Sequence, residues 1–359
     1  MSTGISNSDL VDLQRTTLTN LPNMEFEVAL KYQEYQVVNF WFAEEKVQED
    51  SGTSIERNII LDPQGNARHV RLFQKTPINV ADQQVKVTAP WCQVQSSYSI
   101  ERREALRNRK PAAYINLLKS RRVGAAVDLA NLLELRGFST PDSSGDDLNP
   151  RGIPYWLNKC DAATTNQGDF VGQTIRYGDS TTTTVKGGID ASNASFAKWK
   201  NFAFTYDAAN REFIKRMRRA FHATKFKSPM LAKDLKEGPA ANFRIYVGLT
   251  LLTEMEELAA QQNENLGADL LPFHGVTTFR RVPLLYTPQL DADTDVPIYA
   301  TNHAKFFPIV LTDDWMRESD PMSDVEQHNT ITTYLEGSYQ YFCTNVREAG
   351  FVGSKKTTV

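Results

Sequence analysis

The side chains that could do chemistry are few and scattered along the chain. The five histidines are His69, His222, His274, His303 and His328. No two of them are spaced four residues apart, and none stands in an HExxH-type metal motif. His303, in the run TNHAKFF, could act as a base together with Asp313 or Asp314, as in a hydrolase. We favour a structural role for His303, and the sequence predicts no catalytic residue.

Paired carboxylates occur at Asp146-Asp147, at Asp313-Asp314 and in the run DADTD at 291–295. The last of these resembles the start of a calcium loop, in which carboxylates alternate along the chain. A calcium loop also needs glycine at its sixth position and glutamate at its twelfth, and here Val296 and Pro297 follow the run. We interpret it as a solvated turn, and the sequence predicts neither a metal site nor a cofactor.

The stretch KGGIDASNASFAKWKN, from Lys186 to Asn201, contains a glycine pair that could hold a phosphate group. In a phosphate-binding loop the lysine follows the glycines, whereas Lys186 precedes Gly187 and Gly188. The chain also has no GxSxG motif of the nucleophile-elbow type. The pair therefore predicts a turn that needs backbone freedom, with Ile189 and Trp199 anchoring its two ends to the core.

The composition limits the classes of protein. The chain has 359 residues, of which 41% are hydrophobic, and a formal net charge of −3. This is enough to bury a large core, and the overall charge does not call for nucleic acid or a membrane as partner. Three distant cysteines, no signal-peptide pattern and no apolar run of membrane length favour a soluble protein made in a reducing compartment.

The elements that would position any site are of mixed type, so the fold class is α+β. The most regular pattern predicts a helix over 111–136, with an apolar face that includes Leu129, Leu132 and Leu133. A second helix within 206–226 would bury Phe213, Met217 and Phe221. A strand at 241–249, a helix beginning near 251 with Met255 in the core, and short strands after 272 follow.

The outer face of the helix within 206–226 is basic. It carries Arg211, Lys215, Arg218 and Arg219. This face could contact phosphate, but an ordinary amphipathic helix is the commoner explanation.

Two segments are unusual for a monomer. The run MEFEVALKYQEYQVVNFWF at 24–42 is strand-like and aromatic, either as an edge strand of its own domain or as an arm on a neighbouring subunit. Residues 54–74 predict a polar hairpin in which SIERNIIL pairs with ARHVRLFQ across the turn DPQGN. Such a hairpin is marginal in isolation, so it either docks elsewhere or projects.

The order of these features resembles the major capsid protein of tailed bacteriophages, with the Hong Kong 97-type fold. The similar segments are VTAPWCQVQSSYSIERREALRN before the long helix, GIPYWLNK at 152–159, KGGIDASNASFAKWKN, FHGVTTFRRVPLL with VPIYATNHAKFFPIVL, and ITTYLEGSYQYFCTNVREAGFV. The resemblance implies an N-terminal arm (1–43), an extended β-hairpin loop (44–88), a peripheral domain (89–139 and 316–359) with the spine helix 111–136, and an axial domain (140–315).

The resemblance also implies the function. It implies a structural protein, not an enzyme, that self-assembles through pentamers and hexamers into an icosahedral shell enclosing double-stranded DNA, without sequence-specific binding and without a membrane. Its partners would be a separate scaffolding protein, a portal and decoration proteins. It would be located in the virion capsid and assembled in the host cell cytoplasm. Some relatives crosslink a lysine of the loop, but nothing marks Lys46, Lys75 or Lys86 for this role.

Two alternatives stay open at this point. One is a protein-nanocompartment shell of the same fold, which a cargo-docking groove would distinguish. The other is an α+β hydrolase that uses His303 with Asp313 or Asp314.

Overall fold

The computed structural model describes residues 35–43, 46–61, 66–72, 74–75, 84–107, 111–160, 168–226, 242–261, 272–273, 276–323 and 329–356. The helices are α1 (Arg102–Arg107), α2 (Pro111–Gly137), α3 (Ile153–Trp156), α4 (Arg211–Ala223), α5 (Leu249–Gln261) and α6 (Val346–Ala349). The strands are β1 (Gln48–Asp50), β2 (Ile55–Ile60), β3 (Gln84–Ala89), β4 (Cys92–Glu101), β5 (Asp169–Gly172), β6 (Ile175–Arg176), β7 (Thr182–Thr183), β8 (Val185–Lys186), β9 (Ile189–Asp190), β10 (Asn201–Tyr206), β11 (Phe243–Val247), β12 (Pro272–Phe273), β13 (Val276–Phe279), β14 (Val282–Tyr286), β15 (Ile298–Asn302), β16 (Phe306–Leu311), β17 (Arg317–Glu318), β18 (Met322–Ser323), β19 (Thr330–Cys343) and β20 (Gly350–Lys355).

An eight-stranded mixed sheet runs in the order β12-β13-β14-β11-β15-β20-β10-β5. Successive side chains of a strand point to opposite sides of the sheet, and in the central strands both sets are buried. Ile245, Ala300 and Phe351 stand in register and enter one hydrophobic core, while their chain neighbours Tyr246 and Tyr299 enter another. The sheet therefore separates two cores.

Helices α4 and α5 cover the first of these cores, as their periodicity predicted. The side chain of Asn210 caps α4 by accepting a hydrogen bond from the Phe213 amide at 3.0 Å. Phe213, Met217 and Phe221 are buried beneath α4, and Met255 is buried beneath α5. The strand at β11 and both helices confirm the pattern-based prediction for this region.

The long helix α2 begins at Pro111 and ends at Gly137, one residue beyond the prediction. Leu129 and Leu133 are buried against the second core, as predicted, whereas Leu132 is 38% exposed. None of the helices within the described residues is long and apolar enough to cross a membrane.

A second sheet is built on β19, which pairs with β4 from Thr330↔Glu101 to Tyr339↔Cys92. Strand β16 pairs with the other side of β19, and β1 lies parallel to β16. A domain boundary between residues 315 and 316 would divide both sheets, because β16 belongs with β19 while β20 lies inside the eight-stranded sheet.

The hairpin that follows β1 differs in pairing from the prediction. β2 pairs with β3, from Ile55↔Ala89 to Ile60↔Gln84, and not with the run ARHVRLFQ. Residues 66–72 form no strand, and the predicted turn at 62–65 lies outside the described residues. The predicted pairing was wrong because turn residues in a sequence point to the next strand-like segment as the partner. The strand that pairs with β2 is β3, which lies farther along the chain.

The end of the N-terminal segment also differs from its predicted strand. Val37–Trp41 forms a π-helical turn, while 24–34 lies outside the described residues. The Glu134 carboxylate of α2 accepts hydrogen bonds from the Gln36 and Val37 amides, at 3.2 and 2.8 Å. The first amides of a helical turn have no carbonyl partner within the turn, and here the Glu134 carboxylate accepts their hydrogen bonds.

Candidate functional site

The proposed base His303 lies in the core and not in a cleft. Its side chain is 3% exposed, and its Nε2 atom lies 2.8 Å from the Tyr246 hydroxyl. Trp41 Nε1 donates to the same hydroxyl at 2.8 Å, so Tyr246 donates its own proton to His303. Burial, with the charges of Lys46 and Arg244, holds the pKa of His303 well below its usual range. The imidazole is therefore neutral and has a structural partner.

The two carboxylates proposed to act with His303 lie at the other end of β16. His303 precedes this six-residue strand, and Asp313 and Asp314 follow it. At about 3.3 Å per residue the strand separates them by roughly 20 Å. Asp314 accepts a hydrogen bond from the Ser338 hydroxyl at 2.5 Å. The structure does not bring these three residues together.

The DADTD run forms a turn whose carboxylates have partners. Asp293 and Asp295 both bind Lys159, the second at 3.2 Å. Asp291 accepts from the Leu249 amide at the start of α5 at 2.7 Å. These contacts link the turn to Lys159 and to the start of α5. No group of three or more metal-ligating side chains occurs among the residues that the structure describes.

The remaining histidines and paired acids are dispersed. His222 is exposed on α4, and His69 is exposed in the hairpin loop, while His274 and His328 lie outside the described residues. Asp146 accepts hydrogen bonds from the Asp142 and Leu148 amides, both at 2.9 Å, and closes its own loop. The described part of the chain therefore shows no convergent catalytic set.

The glycine pair forms a tight turn between β8 and β9. Lys186 pairs with Ile189, and Gly187 and Gly188 have φ angles of +60° and +85°. Two positive φ angles in a two-residue hairpin loop are the reason for two glycines. Ile189 and Trp199 are each 2% exposed, as the anchoring prediction required.

The turn holds the root of the hairpin formed by β2 and β3. The Thr88 amide of β3 donates to the Gly187 carbonyl at 3.0 Å. Arg151 Nη1 donates to the Thr88 carbonyl at 2.7 Å. Gly187 also donates to the Tyr155 hydroxyl at 3.1 Å. Both polar groups of the Thr88 backbone are thus held where the hairpin leaves the core.

Lys186 lies directly beneath this turn and is fully buried. Its ammonium group donates to the Trp156 carbonyl at 2.9 Å and to Asn201 Oδ1 at 3.3 Å. Burial lowers the pKa of Lys186 to about 7. Among the described residues its hydrogen-bond partners include no carboxylate, whose negative charge would oppose this shift. No feature of the sequence signalled this burial, because lysine is almost never fully buried.

Beyond its root the hairpin exposes apolar side chains. Ile60 is 68% exposed and Leu72 is 87% exposed. The lysines of the region have individual partners: Lys86 pairs with Glu56 at 2.7 Å, and Lys46 lies 2.9 Å from the centre of the Phe40 ring. Lys75 is exposed. A second exposed apolar group, Leu132, Leu135 and Leu148, lies near the end of α2. Exposed apolar surface of this kind commonly marks protein–protein contacts.

In comparisons with known proteins the sequence of the chain has no match, whereas its fold does. No protein-family model matches the sequence, and no curated protein matches it. Solved structures do match over nearly the whole chain. The capsid asymmetric unit of cyanophage A-1(L) is 12% identical, with a TM-score of 0.60, covering 95% of this chain and 98% of that one.

Two further structures agree with the first. The capsid of a native GTA particle is 10% identical, with a TM-score of 0.52, covering 94% of this chain and 95% of that one. The structure of Mycobacterium phage Bobi is 12% identical, with a TM-score of 0.50, covering 98% of both chains. The chain has the α+β fold of phage capsid proteins.

Proposed function

We propose that this chain is the major capsid protein of a tailed phage, which self-assembles into an icosahedral shell that encloses double-stranded DNA. The observation that carries the proposal is the capsid fold, which extends over 95% of the chain in the comparison with cyanophage A-1(L). A likeness that covers both chains almost completely is expected when the whole subunit, and not one shared module, is used in the same way.

The hairpin supplies a physical reason for assembly. Its root is fixed by the Gly187 carbonyl and Arg151, while Ile60 and Leu72 are exposed farther out. A second copy of the chain would cover these side chains. Contacts of this kind can each be weak, because a closed shell repeats them many times.

The proposed domain division follows the resemblance, with two adjustments from strand pairing. We assign 1–43 to the arm, 44–88 to the extended loop, 89–139 and 316–359 to the peripheral domain, and 140–315 to the axial domain. The two adjustments are exceptions to these ranges: β16 (Phe306–Leu311) goes with the peripheral domain, and β20 (Gly350–Lys355) goes with the axial domain. The axial domains would meet at the centres of pentamers and hexamers.

The proposed partners are other copies of the chain, a separate scaffolding protein, a portal and decoration proteins. DNA would be enclosed without sequence-specific binding. The proposed location is the virion capsid, after assembly in the host cytoplasm. No catalytic residue or cofactor is proposed.

A nanocompartment shell of the same fold is the second candidate, since the fold is what the two would share. The hydrolase alternative is not favoured, because His303 is buried and hydrogen-bonded to Tyr246, and Asp313 and Asp314 lie beyond the other end of β16.

A shortened hairpin tests the proposal. Ile60 and Gln84 are paired across the ladder, so residues 61–83 can be replaced by Asn-Gly while every β2–β3 pair is kept. We expect this variant to stay folded, with an unchanged thermal transition, and to form no closed particles in electron micrographs or light scattering. A matched control replaces only Leu72 by serine, and it should assemble less efficiently but still close.

The outcomes separate the candidates. Normal shells from the shortened variant would remove the role given to the hairpin. Wild-type chain that stays monomeric under all assembly conditions would contradict the shell itself. Purified particles that contain protein cargo and no DNA would favour the nanocompartment.

A further inference from the structure

Three cationic residues adopt left-handed backbone conformations at one end of the eight-stranded sheet. They are Lys225, Arg280 and Arg281, with φ angles of +54°, +49° and +64°. Glycine and asparagine adopt such angles readily, whereas other residues lose free energy there. All three positions are therefore occupied by side chains that local folding does not prefer.

Arg280 and Arg281 fill both central positions of the turn between β13 and β14. Phe279 and Val282 pair on either side of them, so the loop has only two residues. Such a turn favours Asn-Gly, because both central residues need a positive φ. Lys225 stands just beyond α4, where the Phe226 amide returns to the Phe221 carbonyl at 3.0 Å. Glycine is the usual residue at this position.

The turn and the helix end form one cationic surface. Arg280 Nη1 lies 3.5 Å from His222 Nε2 of α4, and its guanidinium lies 5.8 Å from the centre of the Phe221 ring. Arg218 and Arg219 lie one helical turn before His222. The basic stripe of α4 therefore continues into the Arg280-Arg281 turn.

The charge of this surface is large for the protein that carries it. Residues 211–226 with 280–281 contain eight lysines and arginines and one glutamate; without Arg216, which points away from the surface, this gives 7 − 1 = +6. The whole chain has a net charge of −3. The cationic residues are Arg211, Lys215, Arg216, Arg218, Arg219, Lys225, Arg280 and Arg281. Arg216 points inward, to the Thr205 carbonyl.

We propose that this surface binds the phosphodiester backbone of double-stranded nucleic acid, without reading its sequence. The inference rests on the proposed function, in which the shell encloses DNA, and it places this end of the sheet on the inner side of the shell. Arginine suits the task because its planar fork can donate two hydrogen bonds to one phosphate group.

An acidic surface on a second copy fits less well. Glu212 lies within the stripe itself and pairs with Lys215 at 3.7 Å. A separate acidic group on the same face of the sheet is on α5: Glu254, Glu256 and Glu257. Glu254 already pairs with Lys355 at 3.4 Å. At about 1.5 Å per residue these glutamates span roughly 5 Å, whereas the stripe from Arg211 to His222 spans roughly 17 Å. Duplex DNA, with one charge per about 1.7 Å of axis, can match the whole stripe.

The test uses a double variant that improves the local backbone while it removes charge. Arg280→Asn with Arg281→Gly gives the turn its preferred residues and removes two cations. Binding of the unassembled full-length chain to a fluorescent duplex is measured by anisotropy between 50 and 200 mM salt. We expect the double variant to fold at least as stably as wild type, to bind several-fold more weakly to every duplex sequence, and to show a salt slope lower by about 2.

A matched control removes two arginines elsewhere, through Arg103→Gln and Arg317→Gln. These side chains are 74% and 60% exposed. The control should bind DNA like wild type. Equal binding by the Arg280/Arg281 variant and wild type would overturn the inference, as would wild-type chain that does not bind DNA at all.

Particle assembly separates this inference from the proposed function. If the Arg280/Arg281 variant binds DNA like wild type but forms no shells, the surface is a contact between copies and the inference is wrong. If wild type binds DNA through this surface but never forms shells, the shell proposal fails while the binding surface stands.

Discussion

Gly187 and Val87 lie so close that no side chain fits between them. A Cβ atom built on Gly187 would lie 2.6 Å from Val87 Cγ1, and 3.2 Å from the Trp156 ring. Val87 belongs to β3 and is fully buried at the root of the hairpin. The glycine turn and the hairpin are thus packed as one unit, although ninety-nine residues separate Val87 from Gly187.

Gly187→Ala should therefore destabilise the subunit. The alanine meets both a steric clash and a φ of +60°, and together these should lower the free energy of unfolding by about 2–4 kcal/mol. Chemical denaturation measures the change. Val87→Ala removes the methyl group in the clash, so the double variant should lose less than the sum of the two single variants.

Gly124→Ala is the matched control for this substitution. Gly124 is exposed on α2, and a Cβ built there has no heavy atom within 4 Å. Alanine should stabilise the helix by about 0.5–1 kcal/mol. If both glycine variants changed stability equally, the packing of Gly187 against the hairpin would not be the cause.

The sequence predicted what depends on local pattern. The periodicity of Phe213, Met217 and Phe221 located α4, and the glycine pair located the turn. It could not predict which segment the turn would contact, because Thr88 is remote in the chain. The same limit explains the wrong return strand of the hairpin and the interleaving of β16 and β20, since strand partners are chosen by tertiary packing.

The candidate site was predicted less completely than the fold. The absence of a catalytic motif was visible, but the burial of Lys186 and Glu134 was not, because charged residues are expected at the surface. The strained Arg280-Arg281 turn had no signal, since the dipeptide is not typical of a tight turn.

Lys186→Met should remove a pH dependence of stability. Burial lowers the pKa of Lys186 from 10.5 to about 7, so above pH 7 the unfolded chain binds more protons here than the folded chain. The free energy of unfolding should therefore rise with pH, by up to about 1.4 kcal/mol per unit, with the full penalty present below pH 7.

Urea unfolding between pH 7 and 8.5 measures this effect, and the comparison with Lys186→Met cancels the ionisation of unfolded cysteine, which both chains share. The wild-type chain should gain up to about 2 kcal/mol relative to Lys186→Met over this interval. Lys198→Met, at an exposed position in the same segment, should keep the wild-type slope. Parallel slopes for wild type and Lys186→Met would mean that the buried amine does not titrate there.

Glu134→Gln should loosen the π-helical turn at Val37–Trp41. The two carboxylate oxygens of Glu134 accept the Gln36 and Val37 amides separately, and glutamine offers one oxygen and one NH₂ group. One amide then loses a charged acceptor, a loss of about 1.5–3 kcal/mol. Hydrogen exchange of that amide at pH 8 should accelerate by roughly 10- to 100-fold, if it exchanges by local opening.

The same substitution should change stability in acid. Burial raises the pKa of Glu134 from 4.5 to about 7, although the two amide hydrogen bonds oppose the shift. Between these values the folded chain binds more protons than the unfolded chain, so this group lowers stability as pH rises from 4.5 to 7. Glu134→Gln should remove that component, whereas Asp128→Asn, exposed on the same helix, should keep it. Unchanged exchange at Gln36 and Val37, with an unchanged pH profile, would show that Glu134 does not hold the turn.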